Sequence, residues 1–110
     1  MERSWNDPEE ATEYGAVAIA ALLAKRETGH TVIERSRKGT GFDYWLGNDS
    51  GTLFQQKARL EVSGIRHGNE RAVQGRVRMK LKQTEPSDGS FPAYVVVVEF
   101  GTPLAEVRRK

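Results

Sequence analysis

The chain has 110 residues, 17 lysines and arginines against 15 acidic residues, two histidines and no cysteine. That length sets about one domain with one hydrophobic core, while the missing thiols exclude disulfides and thiolate zinc sites and the two histidines exclude a histidine-rich metal centre. No run of about 18 apolar residues occurs and Met1-Glu2-Arg3-Ser4-Trp5-Asn6 lacks the parts of a secretory signal, so a single cytoplasmic domain over residues 1–110, away from membranes, is expected.

Taken in chain order, the first predicted element is a helix over residues 8 to 28. Asp7 is placed to cap it, Pro8 suits its first turn, and Glu9 and Glu10 complement the positive end of its dipole. Val17, Ile19, Leu22 and Leu23 among four alanines give a broad apolar side, and Lys25, Arg26 and Gly29 mark the stop. The alanines suit close packing on a sheet. The β-branched Thr31, Val32 and Ile33 open a strand over 31 to 36, which the Gly39-Thr40-Gly41 turn ends. Phe42 to Leu46 is the next strand, with Phe42, Tyr44 and Leu46 on one face and Asp43 and Trp45 on the other.

The turn Gly47-Asn48-Asp49-Ser50-Gly51 leads to a strand over 53 to 65, in which Phe54, Ala58, Leu60 and Val62 share one face and Lys57, Arg59, Glu61 and Ser63 the other. From Asn69 to Gln83 two templates compete. Arg76 to Lys82 alternates basic and apolar residues as a half-buried strand would, whereas Val73, Val77 and Leu81 form a helical stripe that Asn69 caps. The crossover needed to reach a neighbouring parallel strand favours the helix. After a polar loop over 84 to 90, Tyr94 to Phe100 carries four successive valines, the pattern of a central strand covered on both faces. The tail from Leu104 reads either as an edge extension or as frayed chain.

Asp43 and Glu61 each place a carboxylate in a stretch that otherwise reads as a buried strand. Such an acid is costly unless it is paired, protonated, at an open edge or bound to a metal. The order helix, three strands, helix, strand, with one acid in the second strand and one in the third, resembles the PD-(D/E)XK nuclease-like superfamily over residues 8 to 101. The resemblance implies an α/β fold with a restriction-endonuclease-like αβββαβ core, a mixed central sheet flanked by helices.

It also implies that Asp43 and Glu61 are the metal-binding acids, Glu13 an accessory acid, and Mg²⁺ the cofactor for phosphodiester hydrolysis of DNA or RNA. The family's E-x-K triplet is met at Glu61 and broken at Ser63, which stands where the lysine belongs. Residues 61 and 63 lie on one side of the strand about 6.6 Å apart, but a serine hydroxyl carries no charge and is short. Lys57 shares that face about 13 Å away along the strand, so the replacement cation is sought on the predicted helix, at Arg76, Lys80 or Lys82. By the same resemblance a homodimer is expected.

Two readings follow from the broken motif. One is a Mg²⁺-dependent nuclease whose catalytic residues are Asp43, Glu61, Ser63 and a relocated Lys80. The other is an inactive nuclease-fold module that binds nucleic acid or a protein partner. Phosphate contacts are expected from Arg37, Lys38, Lys57, Arg76 and Lys82, although such runs also form ordinary solvated faces. Asp43 and Glu61 have a structural alternative too, ion pairing with Arg35, Arg37 or Arg59 across the sheet. Trp5, Tyr44 and Trp45 are candidates for base stacking, with sheet-face packing the commoner role of the latter two, and His30 and His67 are expected to be exposed.

Overall fold

The structure, a computed structural model, describes residues 8–48, 55–89 and 91–110. Helix α1 (Pro8–Thr28) is followed by strands β1 (Thr31–Arg35), β2 (Tyr44–Asn48) and β3 (Gln55–Ile65), helix α2 (Glu70–Gln83), a 3₁₀ turn (Glu85–Ser87), and strands β4 (Ala93–Glu99) and β5 (Leu104–Arg109). The strands form one mixed sheet in chain order. Neighbours are antiparallel except β3 and β4, which are parallel and joined through α2. The fold is α/β, a five-stranded mixed sheet with two helices. None of the described helices is long and apolar enough to cross a membrane.

The alanines of α1 do what their size allows. Ala16, Ala20 and Ala24, at successive i+4 positions, are buried against Leu46, Ala58, Leu60, Val62, Val96 and Val98 on one face of the sheet. Gly64 lets the helix come close, since a Cβ there would stand 2.8 Å from both Cγ2 and the carbonyl oxygen of Thr12. On the opposite face Val73 and Val77 of α2 pack on Val95 and Val97. The four valines of β4 are thus shared alternately between two helices, as the period of two demands in a strand covered on both sides.

The parallel pairing of β3 with β4 settles the competition over residues 69 to 83 in favour of the helix, and Asn69 caps it by accepting from Ala72 N at 2.9 Å. The tail is an edge strand, paired from Leu104 to Arg109 with β4. Two expectations are corrected. Phe42 does not join Tyr44 and Leu46 on the α1 face; it lies before β2, and its ring packs edge-on against Trp45 at 4.9 Å. The backbone turns through Gly41, at φ +84°, before strand geometry begins, so strand alternation does not reach Phe42. His30 is half-buried rather than exposed, with Nδ1 shut from solvent. The expected Asp7 cap, Trp5, the turn residues 49–51 and the 53–54 start of the third strand fall outside the described residues.

Candidate active site

The site lies where β3 outruns β2. Leu60 is the last β3 residue to pair with β2, opposite Tyr44, whereas Glu61 to Ile65 continue alongside β4 alone. Asp43 stands at the mouth of this gap. Its N–H donates to Leu60 O at 2.9 Å and its Oδ2 accepts from Val62 N at 2.9 Å, so the carboxylate caps the edge of β3 that β2 leaves bare. A short acid just before the strand satisfies a ladder donor that would otherwise be unpaired.

Glu61 points to the α2 side and is 1% exposed. Burial pushes its carboxyl up to about 7, the Asp43 charge adds to the rise, and the Lys80 ammonium opposes it. Asp43 is close enough to Glu61 for both its charge and a side-chain hydrogen bond to act on the Glu61 carboxyl. Lys80 Nζ lies 3.0 Å from Glu61 Oε2, and Gln83 Nε2 donates to the same oxygen at 2.9 Å. Glu61 Oε1 is buried with no hydrogen-bond donor among the described residues.

Ser63, next on this face, accepts a hydrogen bond of 2.5 Å from Arg76 Nη1, which also donates to Gly64 O at 3.5 Å. Helix and strand geometry make these pairings a set. Four helix residues rise about 6 Å and two strand residues about 6.6 Å, so an antiparallel α2 brings Arg76 over Ser63 when Lys80 is over Glu61. Gln83 completes an i, i+4, i+7 row with them. Sequence reasoning missed Gln83 and the role of Ser63; the row's spacing was the available signal, since it places all three side chains on one helix face.

Of the other expected residues, Glu13 arrives from α1, its Oε2 accepting from Gly64 N at 3.4 Å. Arg37 and Lys38 line a cleft of about 450 Å³ together with Asp43, Phe42, Gln83 and Pro86. Gly41 lets the turn before β2 lie against the end of α2 beside that cleft, since a Cβ at this position would collide with Gln83 O. Lys57 and Lys82 are exposed, and neither lines the clefts around Asp43. The structural alternative fails for Arg59, which is 3% exposed and turns to Phe91 O, Thr84 O, Ser87 Oγ and Asp88 instead of either site acid. Arg35 lies over the Tyr44 ring. Trp45 is packed edge-on between Phe42 and Phe91 rather than presented for stacking on a base.

The donor set can be tested against a divalent cation. No group of three Asp, Glu, His or Cys side chains is arranged for a metal among the described residues. Two apposed carboxylates, one with an orphaned buried oxygen, fit Mg²⁺, which keeps several waters and is commonly held through one or two carboxylates plus substrate phosphate. They do not make an all-protein cage. No protein-family model, curated protein or solved structure matches the chain.

Proposed function

We propose that the protein is a Mg²⁺-dependent hydrolase of phosphodiester bonds in DNA or RNA, with a restriction-endonuclease-like αβββαβ core to which β5 is added as an edge strand. The observation that carries this reading is the Asp43–Glu61 carboxylate pair with the Lys80 ammonium 3.0 Å from Glu61. That arrangement supports the resemblance at the point where the motif breaks, since a cation is delivered from α2 in place of the lysine that Ser63 replaces.

Asp43 and Glu61 would hold the metal, which when bound polarises the scissile phosphate and acidifies an attacking water. The protein's own groups do the rest. Lys80 offers a positive charge beside the reacting phosphate, where charge accumulates in the transition state. Gln83 donates to Glu61 Oε2 and so fixes the carboxylate's rotation, leaving Oε1 as the oxygen without a donor among the described residues. Asp43 is fixed by the backbone of β3 and so presents its remaining oxygen lone pairs at the same place.

The test is cleavage of single-stranded and duplex DNA and RNA with Mg²⁺ or Mn²⁺ by the wild type, Asp43→Asn and Lys80→Ala. Wild-type cleavage that falls on the order of 100-fold to 1000-fold in Lys80→Ala, and is lost in Asp43→Asn, is expected. Equal rates in all three proteins would indicate a contaminant and end the reading. A binding module without catalysis is the second reading, favoured by the engagement of Glu61 Oε2 by Lys80 and Gln83; no cleavage by the wild type, together with a gel shift of the same uncut nucleic acids, is the outcome that selects it.

A further inference from the structure

Beyond the carboxylate pair a second cavity of about 420 Å³ opens at the C-terminal end of β3, lined by Thr12, Glu13, Gly64, Arg66, His67 and Arg76. It is joined to the site through Glu13, which also lines the smaller cleft that Asp43 shares with Tyr44 and Val62. Its Arg76 is held in place. Both hydrogen bonds that anchor it, to Ser63 Oγ and Gly64 O, use Nη1, leaving the Nε and Nη2 donors without partners among the described residues. The loop that carries Arg66 and His67 is also fixed, by a buried carboxylate. Glu99 accepts from Gly68 N at 3.1 Å, Gly101 N at 2.7 Å and both Thr102 N and Oγ1 at 2.8 Å, while Phe100 N donates to Ile65 O at 2.9 Å.

The geometry points to this cavity as the subsite for the phosphate next to the one being hydrolysed, with Arg76 as its principal ligand and Ser63 as the residue that positions Arg76. The inference rests on the hydrolase reading and adds the path of the strand to it. Ser63 lies one side-chain step beyond Glu61 on the same face, about 6.6 Å along β3, which is the order of one nucleotide step. A guanidinium with a free edge suits a phosphate because two parallel N–H donors match two of its oxygens. Arg66 and Arg76 outweigh the single acid in the wall, Glu13, whose Oε2 is already engaged by Gly64 N. Position 63 is therefore not a vacancy left by a lysine. It is a hydroxyl acceptor that turns a flexible arginine into a fixed one.

The experiment measures binding of fluorescein-labelled single-stranded DNA, and RNA of the same sequence, by anisotropy in EDTA across a salt series, with melting curves to verify folding. Losing one phosphate contact lowers the slope of log K against log salt by about 0.7 and weakens binding about fivefold at 0.1 M salt, and this is expected for Arg76→Ala. Ser63→Ala, a smaller change at the anchor, should weaken binding in the same direction by less, and Arg76→Lys should keep the slope. Unchanged affinity and slope in Arg76→Ala and Ser63→Ala overturn the subsite, whether or not the wild type cleaves. The predicted losses in a wild type that binds but never cleaves support the subsite while ending the hydrolase reading. A folded wild type that binds neither nucleic acid overturns the subsite and leaves the hydrolase reading to the cleavage assay with Mg²⁺.

Discussion

Replacing Glu61 by glutamine should stabilise the fold at alkaline pH, because the structure holds this carboxyl in a place that favours its proton. The group sits at about 7 in the folded protein against an ordinary 4.5, chiefly through burial and then through the Asp43 charge. The folded state therefore keeps a proton that the unfolded chain has released, and stability falls as pH rises from about 4.5 through about 7. At 1.36 kcal/mol per pH unit, the penalty is about 1 kcal/mol at pH 5 and about 3 kcal/mol at pH 8, so roughly 2 kcal/mol of wild-type stability is lost between them. Glutamine mimics the protonated acid: its amide can donate to Asp43 and its carbonyl can accept from Lys80 and Gln83. Urea unfolding in EDTA at the two pH values is the assay. With a slope of about 1–2 kcal/mol per molar urea, Glu61→Gln should unfold roughly 1.5–3 M later than the wild type at pH 8, and the gap should shrink to roughly 0.5–1 M at pH 5. Taking the difference between the two proteins cancels the histidines and other groups that titrate in the same range. A gap that is absent at pH 8, or equal at both pH values, would refute the reasoning.

Ser63→Lys, which the motif alone marks as a repair, should leave nucleic-acid cleavage at or below the wild-type rate, since the new ammonium enters the space of the Arg76 guanidinium; a tenfold gain would mean that position 63 is vacant after all. Glu99 shows the opposite pH sign to Glu61. Hydrogen bonds from Thr102, Gly101 and Gly68 hold its carboxyl down at about 2, so the stability it contributes is present above about 4.5 and lost as pH falls through about 2, and Glu99→Gln should lose the wild type's advantage at neutral pH and show a flatter acid limb in urea midpoints. Arg59→Met should destabilise by about 1–3 kcal/mol, the usual cost of leaving a buried acceptor unpaired, because it strands the Phe91 carbonyl, whereas Thr84 O keeps its Ser87 donors and Asp88 its Lys110 partner; chemical denaturation measures it, and a loss below about 0.5 kcal/mol would contradict the assigned role.

The elements whose pattern has one period were legible in the sequence. The alanine spacing of α1, the valines of β4 and the opposite faces of β3 each follow from local geometry, and they set Glu61 on the face opposite Ala58, Leu60 and Val62; that α2 covers this face is known from the packing. Residues 70 to 83 satisfied two periods at once, and only the parallel β3–β4 pairing, a long-range fact, chose between them. Phe42 was misplaced because alternation was extended across a glycine whose positive φ resets the direction of the chain. The choice of Lys80 among three helix cations, and the contacts of Ser63 and Gln83, depend on how far α2 is slid along β3. No single segment encodes that offset; it is set jointly by Val73 and Val77 against Val95 and Val97.

Because Arg76 and Lys80 ride on one helix, their tips form a two-pronged fork whose separation is fixed by the backbone and cannot be adjusted prong by prong. Sliding or rotating α2 would disengage both together. Evolution can therefore retune either prong only by changing its length or chemistry in place, whereas an inserted or deleted residue between them would turn one prong by about 100° and leave the acid or the hydroxyl beneath it ungripped.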